Sequence, residues 1–301
     1  MTKQHLHKLA SEFSHPKHEF DELVFRTVQA ICGRTLSRLE LHSLEFFSEL
    51  SGQLSADFFD ELRIRCDRRR TGEPLQHITG VQTFIDHDYE VNSAVLIPRP
   101  ETEILVEVAS VEIENLKLSS GLEIGLGSGV ISIELLSRIS IITMVATEVS
   151  NGAIAVAKKN RDQILEVPAR LEIISVPDEG DVIPSSLFSA SETARQVYSF
   201  DFIISNPPYL SDETEVTDEV QKYEPKLALF GPKQDVSFFY REMARLAGSY
   251  FQNSGVGFFE IPHERSDEIK AIFEAANWKQ VRIENDLTGR PRVVVAYWQP
   301  T

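Results

Sequence analysis

The chain has 301 residues, of which 42% are apolar and 25% charged, an ordinary globular balance with room for one large domain and a smaller one. A formal charge of −16 disfavours a protein that wraps nucleic acid, and two cysteines, Cys32 and Cys66, are too few for a disulfide framework or a cysteine-based zinc site. No run of about 18 apolar residues occurs and Met1 to Lys8 lacks the apolar stretch of a signal peptide, so a cytoplasmic protein with no membrane contact is expected.

Residues 1 to 75 read as a small helical bundle. Val24, Val28 and Ile31 recur at helical spacing, Leu36 to Leu50 carry a second apolar stripe, and Ser55 caps a third helix that buries Phe58, Phe59 and Leu62. That helix runs into Arg63, Arg65, Arg68, Arg69 and Arg70. This cluster fits either a grip on an acidic or RNA-associated partner or a solvated helix end. Residues 76 to 98 are expected to link two domains through a hairpin, with strands over 80–85 and 89–92 around Asp86-His87-Asp88. Pro98 and Pro100 hold off helix until Glu101, after which a helix to about residue 116 opens the second domain, 99 to 301.

From Gly121 strands alternate with helices, the pattern of an open α/β sheet covered on both faces. Strands are expected over 122–126, 142–149, 171–176, 200–205, 256–261, 281–284 and 293–297. Helices are expected near 130–139, 151–163, 236–250 and 265–276. The last two strands have no helix between them and should pair antiparallel. Pro177 to Gln196 is polar enough to read as an irregular loop.

Glu123-Ile124-Gly125-Leu126-Gly127-Ser128-Gly129 joins the first of these strands to its helix. Glycines there let a ligand approach the backbone, next to a helix N-terminus. The dinucleotide spacing G-x-G-x-x-G fails because Val130 holds the sixth position, which weakens an oxidoreductase reading. Glu148, at the tip of the next strand, is placed to accept hydrogen bonds from ribose hydroxyls. After Phe200 to Ser205 comes Asn206-Pro207-Pro208-Tyr209. Two prolines stiffen the corner, and Asn206 offers a carbonyl acceptor at the sheet's C-terminal edge, suited to holding an NH2 group.

The glycine loop with its acid two residues ahead resembles the donor loop of class I S-adenosylmethionine-dependent methyltransferases. The tetrapeptide at 206–209 resembles the motif of enzymes that methylate a planar NH2: adenine N6, guanine N2 or a glutamine side chain. Gly72 to Gly80, Leu96 to Glu103, Tyr223-Glu224-Pro225 and Asp286 to Val293 narrow this, and the chain resembles the peptide chain release factor glutamine methyltransferases (HemK/PrmC family) from about residue 20 to Tyr297. The resemblance implies a Rossmann-like seven-stranded α/β methyltransferase domain behind a small helical domain that recognises release factors. It implies methyl transfer from S-adenosylmethionine, leaving S-adenosylhomocysteine, to N5 of the glutamine in the Gly-Gly-Gln motif of class 1 release factors. It implies donor contacts from Glu123, Gly125, Leu126, Gly127, Ser128, Gly129, Glu148 and Asn206. It also implies substrate contacts from Arg99, Asn206, Pro207, Pro208 and Tyr209, the last packing over the amide, in a monomer that binds no nucleic acid and needs no metal. Glu123 and Glu148 stand where that family usually has Asp, and the loop 231–236 is less glycine-rich than the family's. A nucleic-acid amino methyltransferase is the nearest alternative, and a non-catalytic donor-binding partner of translation factors a more distant one.

Overall fold

The computed structural model describes residues 2–32, 55–176, 199–212, 216–232, 235–251 and 253–300. The apolar stripe at Leu36 to Leu50 and the loop expected from Pro177 to Gln196 lie outside these residues, as does part of the loop at 231–236. Two compact units are present, Met1–Gly80 and Val81–Thr301, with a single division between Gly80 and Val81. The expected linker is therefore shared out: its first residues form a short helix of the first unit, and its hairpin belongs to the second.

The first unit holds α1 (Thr2–Glu12), α2 (Lys17–Cys32), α3 (Ala56–Arg70) and α4 (Leu75–Thr79). Ser55 caps α3, its hydroxyl accepting the Phe58 N–H at 3.3 Å. Leu23, Val24 and Val28 of α2 meet Phe58, Leu62 and Cys66 of α3 in one buried cluster. Burial pushes the Cys66 thiol up to about 11.

The second unit opens with the hairpin β1 (Val81–Phe84) and β2 (His87–Glu90). Its turn, Ile85-Asp86, begins one residue earlier than the spacing of Asp86-His87-Asp88 suggests, because Ile85 takes the left-handed conformation, φ 49°, and His87 and Asp88 pair within the ladder. The chain then runs through α5 (Pro100–Leu116), β3 (Ser120–Ile124), α6 (Val130–Arg138), β4 (Thr143–Glu148), α7 (Asn151–Ile164), β5 (Leu171–Ser175) and β6 (Phe202–Ser205). It continues through α8 (Asp218–Tyr223), α9 (Phe238–Arg245), α10 (Ala247–Tyr250), β7 (Gly255–Glu260), α11 (Ser266–Ala275), β8 (Lys279–Asn285) and β9 (Pro291–Trp298). The helix expected over 236–250 is two helices broken at Leu246. Among the described residues, no helix is long and apolar enough to cross a membrane.

The seven strands form one sheet in the order β5-β4-β3-β6-β7-β9-β8, with β9 antiparallel to both β7 and β8 and the remaining pairs parallel. Strands buried on both faces read as near-continuous apolar runs, and their period of two divides them between two cores. Phe202 and Ile204 enter the core under α5 and α6, while Ile203 enters the opposite one with Tyr240 and Met243 of α9 and Phe273 of α11. Strand order reverses between β3 and β6. The crevice outside the C-terminal ends of the strands at such a reversal is where open α/β sheets hold ligands.

Candidate active site

At the end of β3 the chain turns through Gly125 and Gly127, whose φ values of 79° and 57° would strain any side chain. A Cβ placed on either would meet nothing within 4 Å, so the inner side of this corner is open backbone facing a cavity. The corner is held from below. Gly125 and Leu126 both donate to the Thr147 carbonyl, at 3.0 and 3.1 Å. Gly127 donates to Glu148 Oε2 at 2.8 Å, and Glu148 Oε1 accepts the Val149 and Ser150 N–H groups, each at 2.9 Å. Gly129 then serves as N-cap of α6. Asn160 of α7 braces the far side, donating to the carbonyls of Ser128 (2.9 Å) and Glu90 (3.0 Å).

Glu123 lies fully buried on β3. Its Oε2 accepts the Ser132 N–H at 3.1 Å and the Ser132 hydroxyl, while Oε1, buried among the residues lining the cavity, has no partner. Burial pushes this carboxyl up to about 8, outweighing the hydrogen bonds from Ser132, and the charge of Glu148 adds to the rise. A cation set against Oε1 would favour the ionised form and displace the proton that burial otherwise keeps there.

Asn206 follows β6 directly. Ser205 anchors the strand end by donating to the Ile124 carbonyl at 2.7 Å, and Asn206 Nδ2 donates to the Thr102 hydroxyl at 3.1 Å. Beyond the prolines, Leu210 donates to the Leu229 carbonyl at 2.9 Å and bridges to Phe230, which fixes the outgoing chain. Arg99 pairs with the buried Glu224 at 2.5 Å, and Glu224 also accepts the Ile97 N–H at 3.0 Å. The Leu96 to Glu103 and Tyr223-Glu224-Pro225 stretches are thus two halves of one contact.

The cavity measures about 440 Å³. Gly125, Leu126, Gly127, Ser128, Glu123 and Glu148 line one part of it, and Arg99, Thr102, Asn206, Pro207 and Pro208 another. Its remaining walls include Val95, Val149, Val176, Phe230 and Phe238. Tyr209 is not among the residues that line it. Its ring packs against the core under α9, and its hydroxyl donates to Glu260 Oε1 at 3.4 Å. An open glycine corner, an orphan carboxylate oxygen at Glu123 and an anchored carboxylate at Glu148 fit S-adenosylmethionine, which carries an ammonium group and a ribose diol.

Thr102, Asn160, Glu224 and Glu260 were not singled out from the sequence as site residues. Asn160 interrupts the apolar stripe of α7, whose other buried members are Ala153, Ile154, Val156 and Ala157, and Glu260 ends the apolar run Phe258-Phe259. A polar residue on an apolar stripe was the signal available.

Comparison with known proteins agrees with this geometry. The methyltransferase small domain family matches residues 100–223. A release factor glutamine methyltransferase of Bacteroides thetaiotaomicron is 33% identical over 232 residues, covering 76% of this chain and 77% of its own. One from Lactococcus lactis subsp. lactis is 35% identical over 260 residues, covering 84% and 89%. Among solved structures, the hMettl16 catalytic domain in complex with MAT2A 3'UTR hairpin 6 superposes with a TM-score of 0.52 at 15% identity, covering 80% of this chain and 82% of that one. At that identity the likeness is one of fold.

Proposed function

The chain belongs to the release factor glutamine methyltransferase family, and on that premise we propose that it methylates N5 of the glutamine in the Gly-Gly-Gln motif of class 1 release factors, using S-adenosylmethionine. The observation that carries the reading is the meeting of the glycine corner and Asn206 across one cavity, at the reversal of strand order. S-adenosylmethionine, when bound, supplies an electrophilic methyl group on a sulfonium.

The Glu123 carboxylate would hold the donor's ammonium, Glu148 its ribose hydroxyls, and the backbone of Gly125 to Gly129 its methionine part. A side-chain amide nitrogen is a poor nucleophile because its lone pair is delocalised into the carbonyl, so the protein's task is orientation. Asn206 Oδ1 accepts one N–H of the substrate amide and the Pro207 carbonyl the other, fixing the nitrogen in the cavity. Pro208 keeps that corner rigid. Orientation of this kind can supply on the order of 7–11 kcal/mol in a near-attack geometry. The same two acceptors face the positive charge that develops on nitrogen. No general base is required, because an N-alkylated amide becomes strongly acidic while cationic and loses its proton to water. Arg99 stands at the cavity wall, held by Glu224, and its guanidinium is proposed to meet the backbone flanking the glutamine.

The helical first unit is proposed to recognise the release factor, though without its arginine cluster as a free patch. Arg63 pairs with Asp60, Arg65 with Glu61, Arg68 with Glu73, Arg69 with Glu19 and Arg70 with Asp67. The test is incubation of the purified protein with labelled donor and, in parallel, a class 1 release factor, a structured RNA and a duplex DNA. Label in the release factor alone supports the reading, and label in nucleic acid with the release factor untouched overturns it.

A further inference from the structure

Asn160 lies on α7 with no exposure, and the hydrogen bonds of its side chain all leave the helix. A buried amide is costly unless its carbonyl and its N–H groups are paired. Here Oδ1 accepts the Glu90 N–H at 2.7 Å, while Nδ2 donates to the Glu90 carbonyl at 3.0 Å and to the Ser128 carbonyl at 2.9 Å. The amide cannot turn over, because that would set its oxygen against two carbonyls and its N–H groups against another N–H.

Fixing the end of β2 needs only the bonds to Glu90. The remaining one reaches the glycine corner, 32 positions away. Ser128 precedes the N-cap of α6, and the N–H of the same peptide, on Gly129, donates to the Leu126 carbonyl at 2.9 Å. The Ser128–Gly129 peptide is therefore tied on both sides, by the tight turn itself and by Asn160. Beyond Glu90 the chain supplies another part of the cavity wall. Val91 and Val95 pack with Ala153 and Val156 of α7, and Val95, Leu96, Pro98 and Arg99 line the cavity. This segment lies so close to α7 that a Cβ on Gly152 would stand 2.9 Å from that of Ala94.

We propose that Asn160 is a positioning residue for the donor: it holds the glycine corner and the segment 91–99 at one fixed separation, and so sets how tightly S-adenosylmethionine is bound. This role rests on the donor site proposed above, although Asn160 itself does not line the cavity. Two other contacts anchor the same hairpin without touching the corner. The Tyr89 hydroxyl donates to Glu134 of α6 at 3.0 Å, and Lys159 of α7 pairs with the Glu90 carboxylate at 2.7 Å. If Asn160 served only to anchor the hairpin, loss of these contacts would act on the donor in the same way. Tyr89→Phe and Lys159→Ala therefore isolate the bond to Ser128.

The experiment is calorimetric binding of S-adenosylmethionine and of S-adenosylhomocysteine to the full-length wild type, Asn160→Asp, Asn160→Ala, Tyr89→Phe and Lys159→Ala, with thermal denaturation of each and steady-state kinetics on a release factor. Asn160→Asp keeps the shape but sets a carboxylate against two carbonyls. Asn160→Ala removes the amide without adding charge, so one variant reports even where the other does not fold. Both are expected to bind either ligand at least about tenfold more weakly and to raise KM for the donor, with kcat at saturating donor and KM for the release factor within about twofold. Tyr89→Phe lowers the melting temperature, yet it and Lys159→Ala keep donor affinity within about twofold. Wild-type donor affinity in either Asn160 variant, or a Tyr89→Phe protein that loses as much affinity as they do, overturns the proposal. A wild type that binds neither ligand refutes the donor site itself, and the proposal with it.

Discussion

The Asn206 side-chain amide donates to the Thr102 hydroxyl across 3.1 Å, tying the end of β6 to the first turn of α5, 104 positions earlier in the chain. With Nδ2 engaged there, Oδ1 is the acceptor available to a substrate amide. Asn206→Ala is expected to lower turnover by roughly 10²–10³-fold, the usual loss on removing one group that stabilises developing charge. Donor affinity, which the proposed function assigns to the glycine corner and its two carboxylates, should change much less. Single-turnover rates at saturating donor, with calorimetry for the donor itself, separate the two effects.

Glu123 makes the ligand-free protein sensitive to alkali. Its carboxyl ionises near 4.5 in an unfolded chain and near 8 in the folded one. Below the first value both states hold the proton and no stability depends on it. Between the two the unfolded state releases the proton and the folded state keeps it, so stability declines as pH rises, until the folded value is passed. The melting temperature of the ligand-free protein should therefore fall between about pH 5 and about pH 8, and Glu123→Gln should flatten that decline. The same substitution removes the acceptor proposed for the donor's ammonium, so donor affinity should drop although the fold becomes more stable in alkali.

Gly127 adopts φ 57° with open space where a side chain would begin. Gly127→Ala costs about 1–2 kcal/mol in backbone strain and sets a methyl group in the path of the donor. A modest fall in melting temperature together with at least about tenfold weaker donor binding is expected. The two are read by thermal denaturation and by calorimetry.

The arginine cluster divides by burial. The guanidinium of Arg69 and the carboxylate of Glu19 join α3 to α2 at 2.6 Å, each largely removed from solvent, whereas Arg63 and Asp60 are exposed neighbours on one helix. Arg69→Ala should destabilise the first unit by roughly 3–5 kcal/mol, because it leaves a buried carboxylate behind. Arg63→Ala should change stability by no more than about 1 kcal/mol. Urea denaturation followed by circular dichroism distinguishes them.

The features legible in the sequence were those written in short-range pattern. Phe202-Ile203-Ile204 announces a strand buried on both faces, Gly125 and Gly127 announce a backbone corner, and Asn206-Pro207-Pro208 announces a rigid exit with one free amide. The turn at Ile85 was not legible, since a β-branched residue is the least expected occupant of a left-handed position. Nor was the orientation of Tyr209, because a ring beside two prolines can turn toward a cavity or a core, and Glu260, 51 positions away, decides it. Thr102 and Glu224 lie in stretches that carry the family resemblance without showing what they touch, and only the fold brings them to Asn206 and Arg99. Local pattern marks where the chain bends; it does not pair segments about a hundred residues apart.

The central claim is that the cavity beside Asn206 methylates a release factor glutamine. Its most direct test is tandem mass spectrometry of a class 1 release factor after incubation with this protein and S-adenosylmethionine. The account predicts one methyl group, on the side-chain nitrogen of the glutamine in the Gly-Gly-Gln peptide, absent when Asn206→Ala replaces the wild type. A methyl group on any other residue, or the same modification from the Asn206→Ala protein at undiminished rate, would contradict it.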